Sequence, residues 1–166
     1  MNEEQFIRRD RMRFTKNTLS SSLALLAILF DVFFFINIYT SDVGHNVGNF
    51  YYQIRIGASI IYNLVFMLAA FLSSEGVKNY KKQYCYVLLV IGLLQIVRIF
   101  ILPAQASAAE VTIGGTVYKV MEKAQHIQVV VYLLLSAACC LAGGIIGIRR
   151  CNELSAHLAS LQKSKA

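Results

Sequence analysis

Three charged side chains stand inside strongly apolar stretches of this sequence: Asp31, Arg55 and Arg98. A carboxylate in hydrocarbon can carry a proton or neutralise a cation, and a guanidinium can hold an anionic group or close an ion pair. Each costs about 2.5 to 3.5 kcal/mol at the centre of a bilayer, so each must face protein or water and have a partner. Gln95, Asn63 and Gln128 are the uncharged polar residues placed to assist them. Two readings follow. In the preferred one, Asp31 and Arg98 form an ion pair that orients a helical bundle, with Gln95 and Asn63 beside it. In the other, Asp31, Arg55, Arg98, Gln95 and Gln128 surround a polar cavity open to the outer face, whose two arginines could bind an anionic group. Arg55 is shallow enough to reach the headgroups along its own aliphatic stem.

Other reactive side chains do not converge. His45 and His126 fall near the outer side with only Asp42, Glu110 and Glu122 for company, too few fixed ligands for a metal centre, so no metal is expected. No histidine lies deep enough in a span to hold haem, and no cofactor is expected. The four cysteines are Cys85, Cys139, Cys140 and Cys151. Disulfide exchange with the outer face requires paired thiols within its reach. Here Cys139 and Cys140 lie mid-span and Cys85 and Cys151 at the inner boundary, so all four read as reduced, small apolar residues. Without a nucleophile, an acid pair or a metal cluster, the chain does not read as an enzyme.

The elements that position these residues are apolar runs. Of the 166 residues 57% are hydrophobic and only 15% charged, against about 25% charged in a soluble domain. Four runs reach the roughly 20 residues needed to cross a core about 30 Å thick: Leu19 to Tyr39, Tyr52 to Leu72, Tyr84 to Leu102, and Ile127 to Ile148. Pro103 stops the third. At about 1.5 Å per residue, Asp31 lies about 18 Å and Arg98 about 21 Å from the inner boundary, close enough in depth to pair. The fold expected is an all-α four-helix transmembrane bundle.

The net charge of +7 would suit nucleic acid on a soluble surface, but here it marks topology. Arg8, Arg9, Arg11, Arg13 and Lys16 precede the first run; Lys78, Lys81 and Lys82 join the second to the third; Arg149, Arg150, Lys163 and Lys165 follow the fourth. Only Lys119 and Lys123 lie on the other side. Cytoplasmic loops retain lysine and arginine, so both ends are expected in the cytoplasm and the membrane is a plasma or bacterial inner membrane. The first run is too long for a cleaved signal and lacks an A-x-A-like site after it, so it is a retained anchor.

Outside the spanning domain (residues 19–148) lie a basic arm (1–18) and a tail (149–166). Phe6, Ile7 and Phe14 among arginines suit a short helix on the inner leaflet. Leu154, Leu158 and Leu161 recur at helical spacing, so the fourth helix is expected to continue into an amphipathic tail. Either segment could dock on a cytoplasmic protein instead. In the second outer loop, Val111-Thr112-Ile113 and Thr116-Val117-Tyr118-Lys119-Val120 flank Gly114-Gly115, a hairpin signal.

In lipid, helices associate through small residues and polar groups. The expected inward lines are Ser20, Ala24, Ala27 and Asp31; Arg55, Ser59, Tyr62, Ala69 and Ser73; Gly92, Gln95 and Arg98; and Gln128, Tyr132, Ser136, Cys139, Gly143 and Gly147. Gly143-x-x-x-Gly147 is a close-packing motif expected to face a neighbouring helix of the same chain; a second copy is the other candidate. Function is then expected to be that of a non-enzymatic accessory or assembly subunit meeting a membrane protein partner, with a small transporter or ligand-binding protein as the alternative.

Overall fold

A computed structural model describes residues 16–39, 50–101, 103–104, 107, 110–113, 116–119 and 121–163. The basic arm with Phe6, Ile7 and Phe14, the first outer loop with Asp42 and His45, and the Gly114-Gly115 turn lie outside the described residues. Four long helices, α1 (Thr18–Tyr39), α2 (Phe50–Lys78), α3 (Lys82–Ile99) and α4 (Lys123–Lys163), are each long and apolar enough to cross a membrane. That is the pattern of a multi-pass membrane protein. Between α3 and α4, the short strands β1 (Glu110–Ile113) and β2 (Thr116–Lys119) pair antiparallel, with Glu110 opposite Lys119 and Ile113 opposite Thr116.

Around the bundle α1 neighbours α2, α2 neighbours α3, α3 neighbours α4, and α4 closes the ring against α1. Polarity is arranged for lipid. Large apolar side chains point outward, Val65 and Leu68 each 59% and Ile145 61% exposed, while Asp31, Asn63, Gln95 and Ser136 are fully buried. Water would invert that distribution.

The buried positions recur at steps of three and four. On α1 they are Ser20, Ala24, Ala27, Asp31, Phe34 and Ile38; on α2 Asn63, Phe66, Ala70, Ser73 and Val77. On α3 they are Cys85, Leu88, Gly92, Gln95 and Arg98, and on α4 Val129, Leu133, Ser136, Cys140, Gly143 and Gly147. A mean repeat of about 3.5 is the spacing with which helices pack side by side in a left-handed bundle. Glycines set how closely α4 approaches its neighbours. A Cβ at Gly143 would meet the Ser20 carbonyl oxygen of α1 at 3.3 Å, and one at Gly144 would stand 2.9 Å from the Cys85 carbonyl oxygen of α3. The Gly143-x-x-x-Gly147 face is turned into the bundle.

Two expected lines are displaced. On α2, Tyr62 is 38% exposed and its neighbour Asn63 is the buried residue; in the first turns of α4, Val129 and Leu133 are buried while Gln128 is exposed. Helix ends differ as well. Expected at Leu102, α3 ends at Ile99, where the Phe100 and Ile101 amides bond three residues back to Val97 and Arg98 as the chain tightens ahead of Pro103. By contrast α4, whose continuation into the tail the spacing of Leu154, Leu158 and Leu161 suggests, runs past Ile148 without a break to Lys163.

The α2–α3 turn is closed by a Schellman motif. The Lys81 amide donates to the Gly76 carbonyl and the Tyr80 amide to the Val77 carbonyl, both at 3.0 Å, with Tyr80 in the left-handed region at φ 56°. Gly76 admits the Tyr84 ring, since a Cβ there would lie 2.2 Å from it. At this same basic end the Asn17 amide donates to the Lys78 carbonyl at 3.1 Å, and Ser21 and Ser74 share a hydroxyl bond at 2.8 Å. The α1 start is thereby tied to the end of α2.

Candidate functional site: a polar cluster contributed by all four helices

Asp31 on α1 is fully buried, one turn before Phe34 on the same face. Gln95 and Arg98 lie one turn apart near the end of α3, and both face the bundle axis. The Arg98 Nη1 donates to Asp31 Oδ1 at 2.8 Å, and Gln95 Nε2 donates to the same oxygen at 3.0 Å. Arg98 Nη1 also approaches Gln95 Oε1 at 3.4 Å, and Arg98 Nη2 donates to Asn63 Oδ1 on α2. The α4 contribution is Ser136, which accepts from Gln95 Nε2 at 3.2 Å and donates to the Ala27 carbonyl at 2.9 Å.

Two aromatic faces complete the guanidinium's surroundings. Its carbon lies 4.3 Å from the Phe34 ring centroid and 5.3 Å from that of Tyr62. With its water removed, a guanidinium gains about 2 kcal/mol or more from such a ring. Phe34 was not singled out from the sequence, although it sits three residues from Asp31 on the same inward line.

As a unit the cluster is neutral, because one carboxylate meets one guanidinium. It is also polarised. Asp31 Oδ1 takes two donors, whereas Asp31 Oδ2 and Asn63 Nδ2 are buried without a partner among the described residues. Chemically it combines a fixed internal charge pair with one spare acceptor and one spare donor.

The remaining expected residues sit elsewhere. Gln128 joins Asn37, whose Nδ2 donates to Gln128 Oε1 at 3.2 Å, and Gln125 Nε2 donates to the Asn37 carbonyl at 3.0 Å. That pairing fastens α1 to α4 beyond the central cluster. Asn37 and Gln125 escaped the sequence reading because a single amide in an apolar run carries no spacing signal. Arg55 lies on α2, and its side chain is outside the described residues. Cys139 is half-buried and Cys140 fully buried, and all four cysteines are free. Among the described residues no group of three His, Cys, Asp or Glu side chains gathers.

Comparison of the chain with protein-family models, with curated proteins and with solved structures finds no match.

Proposed function

We propose that this chain is a non-enzymatic component of a cell membrane, plasma or bacterial inner, acting as an accessory or assembly subunit for a larger membrane protein. The observation that carries the reading is the complete burial of the Asp31–Arg98 pair within a cluster to which every helix contributes. Polar groups occupied with one another hold helices in a fixed arrangement and leave little for a transported solute. In this reading both ends are cytoplasmic, because Lys78, Lys82, Arg149 and Arg150 gather at one end of the bundle. The hairpin of β1 and β2 is then extracytoplasmic. A two-stranded hairpin is marginal alone, so it packs on helix ends or on the partner.

The tail of α4 supports the same reading. At 41 residues the helix is about 60 Å long, twice the hydrocarbon thickness. Leu158 and Leu161, 53% and 47% exposed, lie on its projecting end. Extraction in a mild detergent should yield the chain in a fixed stoichiometry with a second membrane protein, and removing the tail from residue 152 should release it.

A second reading, a small transporter or ligand-binding protein with an outward polar cavity around Asp31, Arg55 and Arg98, is favoured by the unpartnered Asp31 Oδ2 and Asn63 Nδ2. A chain that purifies alone, and whose Asp31→Asn variant loses solute uptake in proteoliposomes, would establish that reading instead.

A further inference from the structure

One line of α4 residues is buried at steps that alternate between four and three: Leu133, Ala137, Cys140, Gly144, Gly147 and Cys151. It faces the bundle axis. A Cβ at Gly147 would stand 2.7 Å from Cys85 of α3, 3.0 Å from Ser20 of α1 and 3.3 Å from Val77 of α2. The same steps continue past the bundle through Leu154, Leu158 and Leu161. The α2–α3 turn reaches Cys151, whose sulfur approaches the Tyr80 carbonyl at 3.4 Å, and Lys82 Nζ donates to Asn152 Oδ1 at 3.0 Å. Beyond that level Leu158 and Leu161 are 53% and 47% exposed.

The direction of that line decides what can cover it. Because α4 is unbroken to Lys163, and a helix drifts only about 20° per heptad against such a line, the three leucines still point over the basic end of their own bundle. Leu158 stands roughly 15 Å past Ile148 along the helix, so an unbroken α4 holds it away from lipid. A second copy carries its own line over its own bundle, and two tails cannot meet leucine to leucine. The chain that does lead to this place is the one that enters α1. Its point of entry is fixed, since the Asn17 amide donates to the Lys78 carbonyl at 3.1 Å and Ser20 Oγ donates to the Gly143 carbonyl of α4.

We propose that the arm, residues 1–15, folds back as a helix along the Leu154, Leu158 and Leu161 face of α4, antiparallel to it. The register comes from α1, where Ser20 meets Gly143, Ala27 meets Ser136 and Asn37 meets Gln125. Each advance along α1 is matched by an equal retreat along α4, to within a residue. Carried back past Thr18, the same register brings Phe6 and Ile7 level with Leu158, to within about two residues. As a helix, residues 1–15 reach about 22 Å, enough to come level with Leu161. Phe6 and Ile7 supply the apolar side that lies on the leucines, in the way an amphipathic helix covers a hydrophobic face. The partner proposed above then meets arm and tail as one unit.

The test is disulfide trapping in the full chain, purified alone in detergent with its native cysteines replaced by alanine. A mild oxidant should join Phe6→Cys or Ile7→Cys to Leu158→Cys within one chain, since facing positions bring Cα atoms within about 7 Å. Ser160→Cys, on the opposite side of α4, should not be joined. In the chain with its own cysteines, Leu158→Asp with Leu161→Asp should speed tryptic cleavage at Arg8, Arg9, Arg11 and Arg13 by roughly 10-fold or more, because cleavage follows the population of the released arm. The sequence contains no tryptophan, so Phe6→Trp in vesicles reports the arm's surroundings, and lipids nitroxide-labelled on their acyl chains should not quench it. Absence of the disulfide from both pairs, a disulfide that joins two chains, unchanged cleavage, or quenching by the labelled lipids would each overturn the assignment. None of these measurements needs a partner, so their outcome is separate from that of the detergent extraction.

Discussion

The Arg98 guanidinium meets the Asp31 carboxylate across the diagonal of the bundle at 2.8 Å, with side chains only 4% and 0% exposed. Their helices, α3 and α1, are not adjacent in the ring, so the pair spans the axis rather than a single helix–helix seam. Asn63 and Ser136 bring in the other two helices, and the four are held by one connected set of hydrogen bonds.

Removing one partner should cost far more than removing both. Asp31→Asn leaves a buried guanidinium uncompensated and is expected to lower stability by about 3 to 5 kcal/mol, whereas Asp31→Leu combined with Arg98→Leu should recover most of that loss. Thermal unfolding in detergent measures both. An Asp31→Asn chain as stable as the parent would show that the pair does not hold the bundle.

Glycines of the same chain should respond oppositely to alanine. At Gly144 a Cβ would lie 2.8 Å from the Leu89 side chain and 2.9 Å from the Cys85 carbonyl oxygen. Since backbone cannot give way locally, α3 and α4 must part, at a cost of about 1 to 3 kcal/mol. At Gly57 nothing lies within 4 Å, and Gly57→Ala should stabilise α2 by about 0.5 to 1 kcal/mol. Equal effects at the two positions would contradict the packing described for α4.

Gly76 and Tyr84 should be energetically coupled. An alanine Cβ at 76 would overlap the Tyr84 ring at 2.2 Å, so Gly76→Ala should be strongly destabilising alone and much less so beside Tyr84→Ala. A double-mutant cycle should return a coupling of about 1 kcal/mol or more, and additive effects would remove the ring from that position.

Sidedness has a direct test. With the native cysteines replaced, Lys119→Cys should react with a membrane-impermeant maleimide from outside, and Lys78→Cys only after permeabilisation. Labelling of both from one compartment would exclude the proposed topology, since α3 separates them in sequence.

Apolar run length and residue depth made much of this arrangement legible. Asp31 and Arg98 lie at matching depths in runs long enough to span, and the inward lines of α1 and α3 are carried by their small and polar residues. Polarity misled on α2 and α4. Tyr62 and Tyr132 carry hydroxyls, yet tyrosine is amphipathic and serves at the margin of a bundle, so the axial places go to Asn63 and Leu133. Gln128 was grouped with the arginines by helical spacing, but it lies outward, within reach of Asn37. The end of α3 was less legible, because hydropathy marks where hydrocarbon would end and so points to Leu102, whereas the helix stops at Ile99; on α4 the spacing of Leu154, Leu158 and Leu161 already pointed past Ile148.

The 67 residues that separate Asp31 from Arg98 also set a delay in biogenesis. At synthesis rates of about 5 to 20 residues per second, the carboxylate emerges roughly 3 to 13 s before its guanidinium exists. Through that interval α1 carries Asp31 without its partner, and its apolar residues alone must offset a cost of about 2.5 to 3.5 kcal/mol. Maturation of this chain is therefore paced by the arrival of its third hydrophobic segment.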